Sequence, residues 1–191
     1  MVALADAASA GRIPGAEIAL VISDRADADG LRHAAERHLP TLIIERRRRT
    51  RAEHEQEVLK ALAEYNIELI CLAGFMRLLS PEFIAIYQGR ILNIHPSLLP
   101  AFPGLEAQRQ AIEHGVKWSG CTVHFVDETL DGGPIIVQHI VSVHNDDTVE
   151  TLAARILIEE HQAYSEAVAI VAVGTYKIKG RQVIILEPDR I

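Results

Sequence analysis

The stretch Ile91-Leu-Asn-Ile-His-Pro-Ser-Leu-Leu-Pro100 decides how this sequence is interpreted. Its apolar residues predict a buried strand, which Pro96 ends. Residues two apart in a strand share a face, so Asn93 and His95 should project together at the carboxyl end. That end is where open α/β sheets bind their ligands. A core histidine beside a turn asparagine is the structural alternative, but two polar side chains on one face of a buried strand favour a functional site.

A carboxylate follows further along the chain, in Asp131-Gly-Gly-Pro134. The Asn93 amide can donate hydrogen bonds to an oxygen that gains negative charge, and His95 can polarise that oxygen or move a proton. Asp131 could hold a water that relays protons, although a turn-forming aspartate is the alternative. The two glycines should let the backbone approach a ligand. Together, the three polar groups predict attack of an external nucleophile on a carbonyl carbon through a tetrahedral oxyanion.

Outward from this stretch, strand-like and helix-like segments alternate, which predicts an α/β fold with a doubly wound, mostly parallel sheet. We expect a single domain over residues 1–191. Strands are predicted at 17–22, 41–44, 68–73, 91–95, 120–126 and 134–143, helices at 29–37, 50–65, 81–87, 105–114 and 148–173, and a hairpin at 175–186. The form Thr50-Arg-Ala-Glu53 predicts a capping box at the start of one helix.

The start of the chain differs from the usual pattern of this fold class. A doubly wound sheet opens with a strand and a glycine-rich turn that receives phosphate, whereas this chain opens with a predicted helix at Met1. We therefore expect Met1 to be internal to a longer natural product, and residues 1–191 to lack the first strand, the phosphate loop and phosphate binding. Upstream codons for a strand and a glycine-rich turn would support this, and an in-frame stop directly before Met1 would refute it.

Composition and net charge limit the classes of partner that we expect for this protein. A net charge of −7 argues against nucleic-acid binding, and no apolar run is long enough for a membrane helix. Cys71 and Cys121 have neither disulfide nor metal-ligand spacing, and the nine histidines are scattered, so we expect no metal and a cytoplasmic location. Neither Ser97 nor Cys121 stands in a pattern typical of a covalent nucleophile.

Two further features have open interpretations. Glu160 falls within the apolar stripe of the last predicted helix, where it either pairs with a core arginine or holds a substrate. The segment 74–79, Gly-Phe-Met-Arg-Leu-Leu, either forms an apolar slot for a planar ring or packs in the core.

Four motifs in this order carry a resemblance that covers essentially the whole chain. They are Ala73-Gly-Phe-Met-Arg-Leu-Leu-Ser80, Leu92-Asn-Ile-His-Pro-Ser-Leu-Leu-Pro100, Gly120-Cys-Thr-Val-His-Phe-Val126 and Leu130-Asp-Gly-Gly-Pro134. They closely resemble the formyl-folate transferase superfamily. Within it, Phe102-Pro-Gly-Leu105 is similar to the phosphoribosylglycinamide formyltransferases, whereas the methionyl-tRNA enzymes usually carry an Arg-Gly-Ala type sequence there.

The resemblance implies a Rossmann-like fold and a role in de novo purine biosynthesis. The amine of N1-(5-phospho-D-ribosyl)glycinamide (glycinamide ribonucleotide) would attack the formyl carbon of 10-formyltetrahydrofolate. Asn93 and His95 would stabilise the oxyanion, while Asp131 would set the protonation of His95 and assist proton transfer. Hydrolysis of the formyl-folate by water, and folate binding without turnover, are the two alternatives.

The resemblance also implies binding residues. Glu160 matches the carboxylate that holds the ribonucleotide. The positions that match the folate site are Arg51, Met76, Arg77, Leu78, Leu79, Asn93, Asp127, Glu128, Thr129, Leu130 and Asp131. The partners would be small molecules, and the protein a monomer or homodimer.

Overall fold

Helices and strands alternate along residues 1–186, the part of the chain that the computed structural model describes. The helices are α1 (Val2–Ser9), α2 (Asp29–Glu36), α3 (Arg51–Glu64), α4 (Pro81–Ile86), α5 (Ala107–Glu113) and α6 (Val149–Val173). The strands are β1 (Val21–Ser23), β2 (Thr41–Ile43), β3 (Ile70–Cys71), β4 (Ile91–His95), β5 (Trp118–Phe125), β6 (Ile135–Ser142), β7 (Tyr176–Lys179) and β8 (Gln182–Ile185). Every predicted element is present. β1 and β3 are shorter than the predicted strands at 17–22 and 68–73, and residues 187–191 of the predicted domain lie outside the described range.

The strands form two separate sheets. One contains β1 and β2, and the other has the strand order β3-β4-β5-β6-β8-β7. The pairs β1–β2, β3–β4 and β6–β8 are parallel, which confirms the α/β class and the parallel pairing within each of the first two strand pairs. The pairs β4–β5, β5–β6 and β7–β8 are antiparallel, which the alternation of elements did not predict. β5 and β6 are joined by a loop without a crossover helix, and such a connection joins antiparallel neighbours.

Local sequence explains where the helices on either side of the site begin. The side chain of Thr50 accepts the N–H of Glu53, whose carboxylate accepts the N–H of Thr50, so the predicted capping box is confirmed. Ser80 caps α4 in the same manner by accepting the N–H of Phe83 at 3.1 Å. Both caps fix the direction in which the chain enters α3 and α4 after it leaves the carboxyl ends of β2 and β3.

Helices cover both faces of the larger sheet. The long helix α6 buries Leu152, Ile156, Ala163 and Ala167 against one face. The hydroxyl of its Tyr164 donates to two sheet carbonyls, at 2.8 and 3.0 Å, and so fixes the helix to β3 and β4. A smaller cluster of α3, α4 and Ile91 covers the other face. At the carboxyl end of β4, the contacts to His95 come from loops.

Within residues 1–186, no helix combines the length and the apolar character that crossing a membrane requires.

Candidate active site

The carboxyl end of β4 brings two predicted residues into one polar cluster. Asn93 is opposite His124 of β5, and His95 is opposite Thr122, so both project toward the same face of the ladder. The Nδ1 atom of the buried His95 lies 3.4 Å from Oδ2 of Asp131. The structure therefore brings the imidazole and the carboxylate together from distant parts of the sequence.

Both ring nitrogens of His95 have partners. Nε2 lies 2.8 Å from the backbone carbonyl oxygen of Phe102, so it carries a proton and donates it there. Nδ1 faces the Asp131 carboxylate, which would accept a second ring proton. His95 is thus placed between a neutral acceptor and an anionic one, in surroundings that exclude most water (5% exposed).

Asp131 is held in an uncommon backbone conformation. Its φ is 49°, in the left-handed region that aspartate tolerates better than most residues. The Oδ2 atom of Asp131 accepts the N–H of Gly104 at 2.8 Å, and this hydrogen bond fixes the orientation of the carboxylate.

The two glycines that follow Asp131 lie close to other parts of the chain. A Cβ at Gly133 would lie 1.8 Å from the carbonyl oxygen of Phe125, and one at Gly132 would lie 2.1 Å from Oγ1 of Thr129. These glycines therefore permit a close approach of the chain to itself, and their predicted approach to a ligand stays a prediction. Their function in this loop is to seat Asp131 against the end of β5.

His124 is a member of the cluster that the sequence did not predict. Its Nδ1 donates to the carbonyl of Phe125 at 2.8 Å, so Nε2 is free to accept from Nδ2 of Asn93 at 3.3 Å. Burial lowers the pKa of His124, which keeps the ring neutral and Nε2 an acceptor. Nε2 is also 3.9 Å from Oδ1 of Asp131. The register with β6 shifts between Val123 and His124, and such irregularities re-aim side chains beside active sites.

The loop after His95 is fastened to β5. Oγ1 of the buried Thr122 donates to the carbonyl of Ser97 at 2.7 Å and accepts the N–H of Leu99 at 3.0 Å. The amide of Gln138 donates to the same oxygen at 2.9 Å. Ser97 is fully buried and its hydroxyl donates to the carbonyl of Ala101, so this serine is a structural residue and not a nucleophile.

A second group of candidates lies on the segment after β3. Met76 and Leu78 are 75% and 59% exposed, so for these two residues the alternative of core packing is wrong. Arg77 pairs with Asp24 at 2.9 Å and lies over the ring of Phe75, 4.9 Å from its centroid. Arg77 thus ties this segment to Asp24, while Met76 and Leu78 of the same segment present apolar side chains to solvent.

Arg51 and the same segment are linked through a carboxylate that the sequence did not single out. Glu55 is buried, accepts from Nε of Arg51 at 3.1 Å and accepts the N–H of Ser80 at 3.0 Å, directly after Leu79. The spacing of four residues on α3 is the signal that could have paired Arg51 with Glu55.

The loop before Asp131 is shaped by its own aspartate. Oδ1 of Asp127 accepts the N–H of Thr129 at 2.8 Å, a turn closed by an aspartate side chain. Glu128, Thr129 and Leu130 are exposed, and Leu130 lies beside Gly104. This loop therefore presents three exposed residues directly before Asp131.

Glu160 is not joined to the cluster. It is half-buried on α6, and burial raises the pKa of its carboxyl group. Within the described part of the chain it makes no hydrogen bond or ion pair, so the alternative of a core arginine finds no support. Glu160 lies near Cys121. Successive residues of β5 face opposite sides of the sheet, so Cys121 points to the α6 side, away from Thr122 and His124.

The thiols are unsuited to nucleophilic chemistry. Cys71 and Cys121 are unpaired, and burial raises the pKa of each to about 12. In residues 1–186, no group of three or more His, Cys, Asp or Glu side chains could hold a metal ion.

An amide, two histidines and a carboxylate at the end of a buried strand suit transfer chemistry at a carbonyl group. A sequence model of the formyl transferase family matches residues 1–168. The chain therefore belongs to the formyl transferase family.

Its relatives narrow the comparison further. The chain is 40% identical over 177 residues to the phosphoribosylglycinamide formyltransferase of Escherichia coli (strain K12), covering 92% of this chain and 83% of that protein. The crystal structure of glycinamide ribonucleotide transformylase 1 from Symbiobacterium toebii superimposes with a TM-score of 0.94 at 51% identity, covering 97% of this chain and 88% of that one. The trifunctional purine biosynthetic protein adenosine-3 of Gallus gallus is 48% identical over 164 residues, which are 85% of this chain. The chain spans only 16% of that larger relative.

Proposed function

We propose that this protein transfers the formyl group of 10-formyltetrahydrofolate to the amine of glycinamide ribonucleotide, a step of de novo purine biosynthesis. The observation that carries the proposal is the meeting of Asn93, His95 and Asp131 at the end of β4. The names of the relatives support the choice of acceptor amine.

Stabilisation of the oxyanion falls to Asn93 and His95. The formyl donor supplies a carbonyl carbon that becomes tetrahedral when the amine attacks. One N–H of the Asn93 amide is held by His124, which leaves the other to donate to the developing oxyanion. His95 Nε2–H, which donates to the Phe102 carbonyl, adds a second donor when it turns to the substrate.

Proton movement falls to His95 and Asp131. The attacking amine must lose a proton, and the departing folate nitrogen must gain one. Asp131 lies 3.4 Å from Nδ1 of His95 and is the nearest anionic acceptor to that ring. The pair can therefore take the proton released by the amine and return one to the leaving nitrogen.

The folate would lie against the exposed apolar segment and the loop before Asp131. Met76 and Leu78 present apolar surface, and Arg51 is positioned by Glu55 at the same side. Planar rings prefer such apolar walls with a few polar groups between them. The proposed folate contacts are Arg51, Met76, Arg77, Leu78, Leu79, Asn93, Asp127, Glu128, Thr129, Leu130 and Asp131.

Glu160 would bind the ribonucleotide. Its carboxylate is half-buried and lacks a partner among the described residues, and ribose hydroxyls are suitable donors for it. We place the reaction in the cytoplasm, which the two unpaired thiols support.

The test follows consumption of 10-formyltetrahydrofolate by its absorbance, with and without glycinamide ribonucleotide. We expect consumption that depends on the ribonucleotide and yields one formylated amine per folate released. Equal consumption without the ribonucleotide would instead establish hydrolysis, and folate binding without consumption would establish a binding protein.

A further inference from the structure

Four consecutive arginines follow β2, and the proposed function leaves them without a role. They occupy Arg46–Arg49, in the loop between Ile43 at the end of β2 and Thr50, the residue that caps α3. The helix α3 begins at Arg51, which is one of the proposed folate contacts. The four arginines therefore lie directly before a residue of the proposed folate site, at the end of the sheet where β2 finishes.

The loop that carries these arginines is shaped by its own backbone and by α3. The N–H of Arg49 donates to the carbonyl of Arg46 at 3.0 Å, which closes a turn, and Arg48 has a left-handed φ of 66°. Before this turn, Nε2 of His54 donates to the carbonyl of Ile44 at 2.9 Å and so ties the loop to α3. We call residues 46–49 the arginine turn.

One arginine of the turn is used within the protein, and the other three are not. The side chain of Arg49 pairs with Glu57 at 2.9 Å and also donates to the carbonyl of Glu45. The side chains of residues 46–48 are exposed and form no ion pair in the part of the chain that the structure describes, with Glu45 or with any other carboxylate. The turn therefore presents an excess of positive charge to solvent.

The arginine turn adjoins the proposed folate contacts in space as well as in sequence. Arg46 lines the same recess as Arg51 and the segment 76–79. Arg51 shares its charge with Glu55, whose carboxylate lies 3.1 Å from its Nε atom. An anion that extends past Arg51 would therefore meet guanidinium groups that no carboxylate of the described chain neutralises.

Charge within the proposed folate site indicates which end of the folate points toward the arginine turn. The loop before Asp131 carries Asp127 and Glu128, whereas the cations among the proposed contacts are Arg51 and Arg77. A folate carries its glutamate carboxylates at the end of the molecule opposite to the pterin. Because carboxylates are attracted to cations and repelled by other carboxylates, the glutamate end should lie beside Arg51 and continue toward the arginine turn.

We propose that the arginine turn binds a γ-linked oligoglutamate tail of the formyl-folate cosubstrate. The inference rests on the proposed function, because it takes the folate contacts as given. Each glutamate added through the γ-carboxyl group brings one more carboxylate, so a tail of several glutamates is a flexible polyanion. The guanidinium groups of residues 46–48 each offer a planar fork of N–H donors to a carboxylate. Since the pterin end is already bound, the tail is held near the turn at high effective concentration.

The test compares 10-formyltetrahydrofolate that has a single glutamate with the same compound carrying five γ-linked glutamates. Isothermal titration calorimetry measures the dissociation constant of each. Exposed ion pairs are individually weak, so three of them should lower the dissociation constant of the longer folate by roughly 3- to 30-fold at low salt. This advantage should shrink as the ionic strength approaches about 0.15 M, because screening weakens pairs between exposed charges.

A variant of the turn tests whether these arginines cause the advantage. Arg46→Gln, Arg47→Gln and Arg48→Gln together remove three charges and leave long polar side chains in place. In this triple variant, the dissociation constants of the two folates should agree to within about twofold. Circular dichroism checks that the variant is folded.

The hairpin of β7 and β8 offers a matched control at the opposite edge of the larger sheet from β3. Its cations at 177, 179 and 181 are exposed. Lys177→Gln, Lys179→Gln and Arg181→Gln together change the net charge by the same amount as the turn variant. The control should keep the full advantage of the longer folate.

The inference is overturned if the unmodified protein binds both folates equally, or if the turn variant and the hairpin control lose the advantage to the same extent. Formyl transfer without any effect of tail length would overturn this inference and leave the proposed function intact. An effect of tail length that depends on the turn, without transfer, would support this inference and contradict the proposed function. Binding of neither folate would contradict both.

Discussion

The β4–β5 region and the β1–β3 region of the same molecule differ in how completely their polar groups are partnered. Around β4 and β5, the rings of His95 and His124, the amide of Asn93 and the carboxylate of Asp131 all have partners within the chain. Between β1 and β3, two strand edges face an open cavity. The comparison shows that the polar groups of the candidate site are held by β5, by the loop after β4 and by the loop between β5 and β6, none of which borders the gap in the sheet.

The strongest test of the ordered region is removal of its chemical groups. Asn93→Ala and His95→Ala should each lower the rate of formyl transfer by roughly 10²–10³-fold, the loss typical of an oxyanion donor. Steady-state kinetics measure the effect. His33→Ala, on the distant helix α2, is the matched control and should leave the rate unchanged.

Turnover within about threefold of the unmodified protein in either variant would remove that residue from the mechanism and with it the proposed use of the cluster.

The next test asks whether the loop that holds Asp131 needs glycine at position 133 because of close packing against the chain. Gly133→Ala places a Cβ 1.8 Å from the Phe125 carbonyl, so the loop must shift, at a cost of about 1–3 kcal/mol in the free energy of unfolding. Gly30→Ala is the control, since a Cβ there meets nothing within 4 Å on helix α2 and should stabilise by about 0.4–1 kcal/mol. Urea unfolding measures both, and equal effects would contradict the packing argument.

A smaller effect is expected from the histidine that positions Asn93. His124→Leu removes the acceptor of the Asn93 amide, so kcat should fall about tenfold, the value of one lost hydrogen bond, while KM for the folate changes little. His124→Gln, which keeps a side-chain acceptor, should recover part of the rate. An equal loss in both variants would indicate that His124 acts only by filling space.

The smallest effect concerns the attachment of α6 to β6. Burial alone would lower the pKa of His139, but its hydrogen bonds to Glu159 and Glu166, at 2.8 and 3.1 Å, leave that pKa raised. The stabilisation is therefore fully present below the unfolded pKa of about 6.5 and is lost as the pH rises through the folded value. The free energy of unfolding should fall by less than about 1 kcal/mol across that range. His139→Gln should abolish this part of the pH dependence, and an unchanged dependence would contradict the assignment.

The features that the sequence predicted correctly depend on the local periodicity of helices and strands. The period of two placed Asn93 and His95 on one face, and the spacing of Thr50 and Glu53 gave the capping box. Asp131 was joined to them by the chemistry of the three groups and by the family resemblance, and not by periodicity, because its approach depends on a turn far along the chain.

The residues that escaped prediction depend on contacts between distant segments. His124 faces Asn93 because of the antiparallel register of β4 and β5, which periodicity cannot supply. The spacing of Glu55 from Arg51 was visible in the sequence, but its burial and its hydrogen bond to Ser80 depend on the chain around Ser80 packing on α3. The close contacts of Gly132 with Thr129 and of Gly133 with Phe125 escaped prediction for the same reason, since a glycine does not reveal what it approaches.

The most direct test of the proposed reaction follows the formyl carbon itself. The protein is given 10-formyltetrahydrofolate labelled with ¹³C in the formyl group, together with glycinamide ribonucleotide, and the products are identified by mass spectrometry. The proposal predicts that the label appears in the formylated amine of the ribonucleotide, and that Asn93→Ala greatly slows its appearance. Label found only in free formate, or left on the folate, would contradict it.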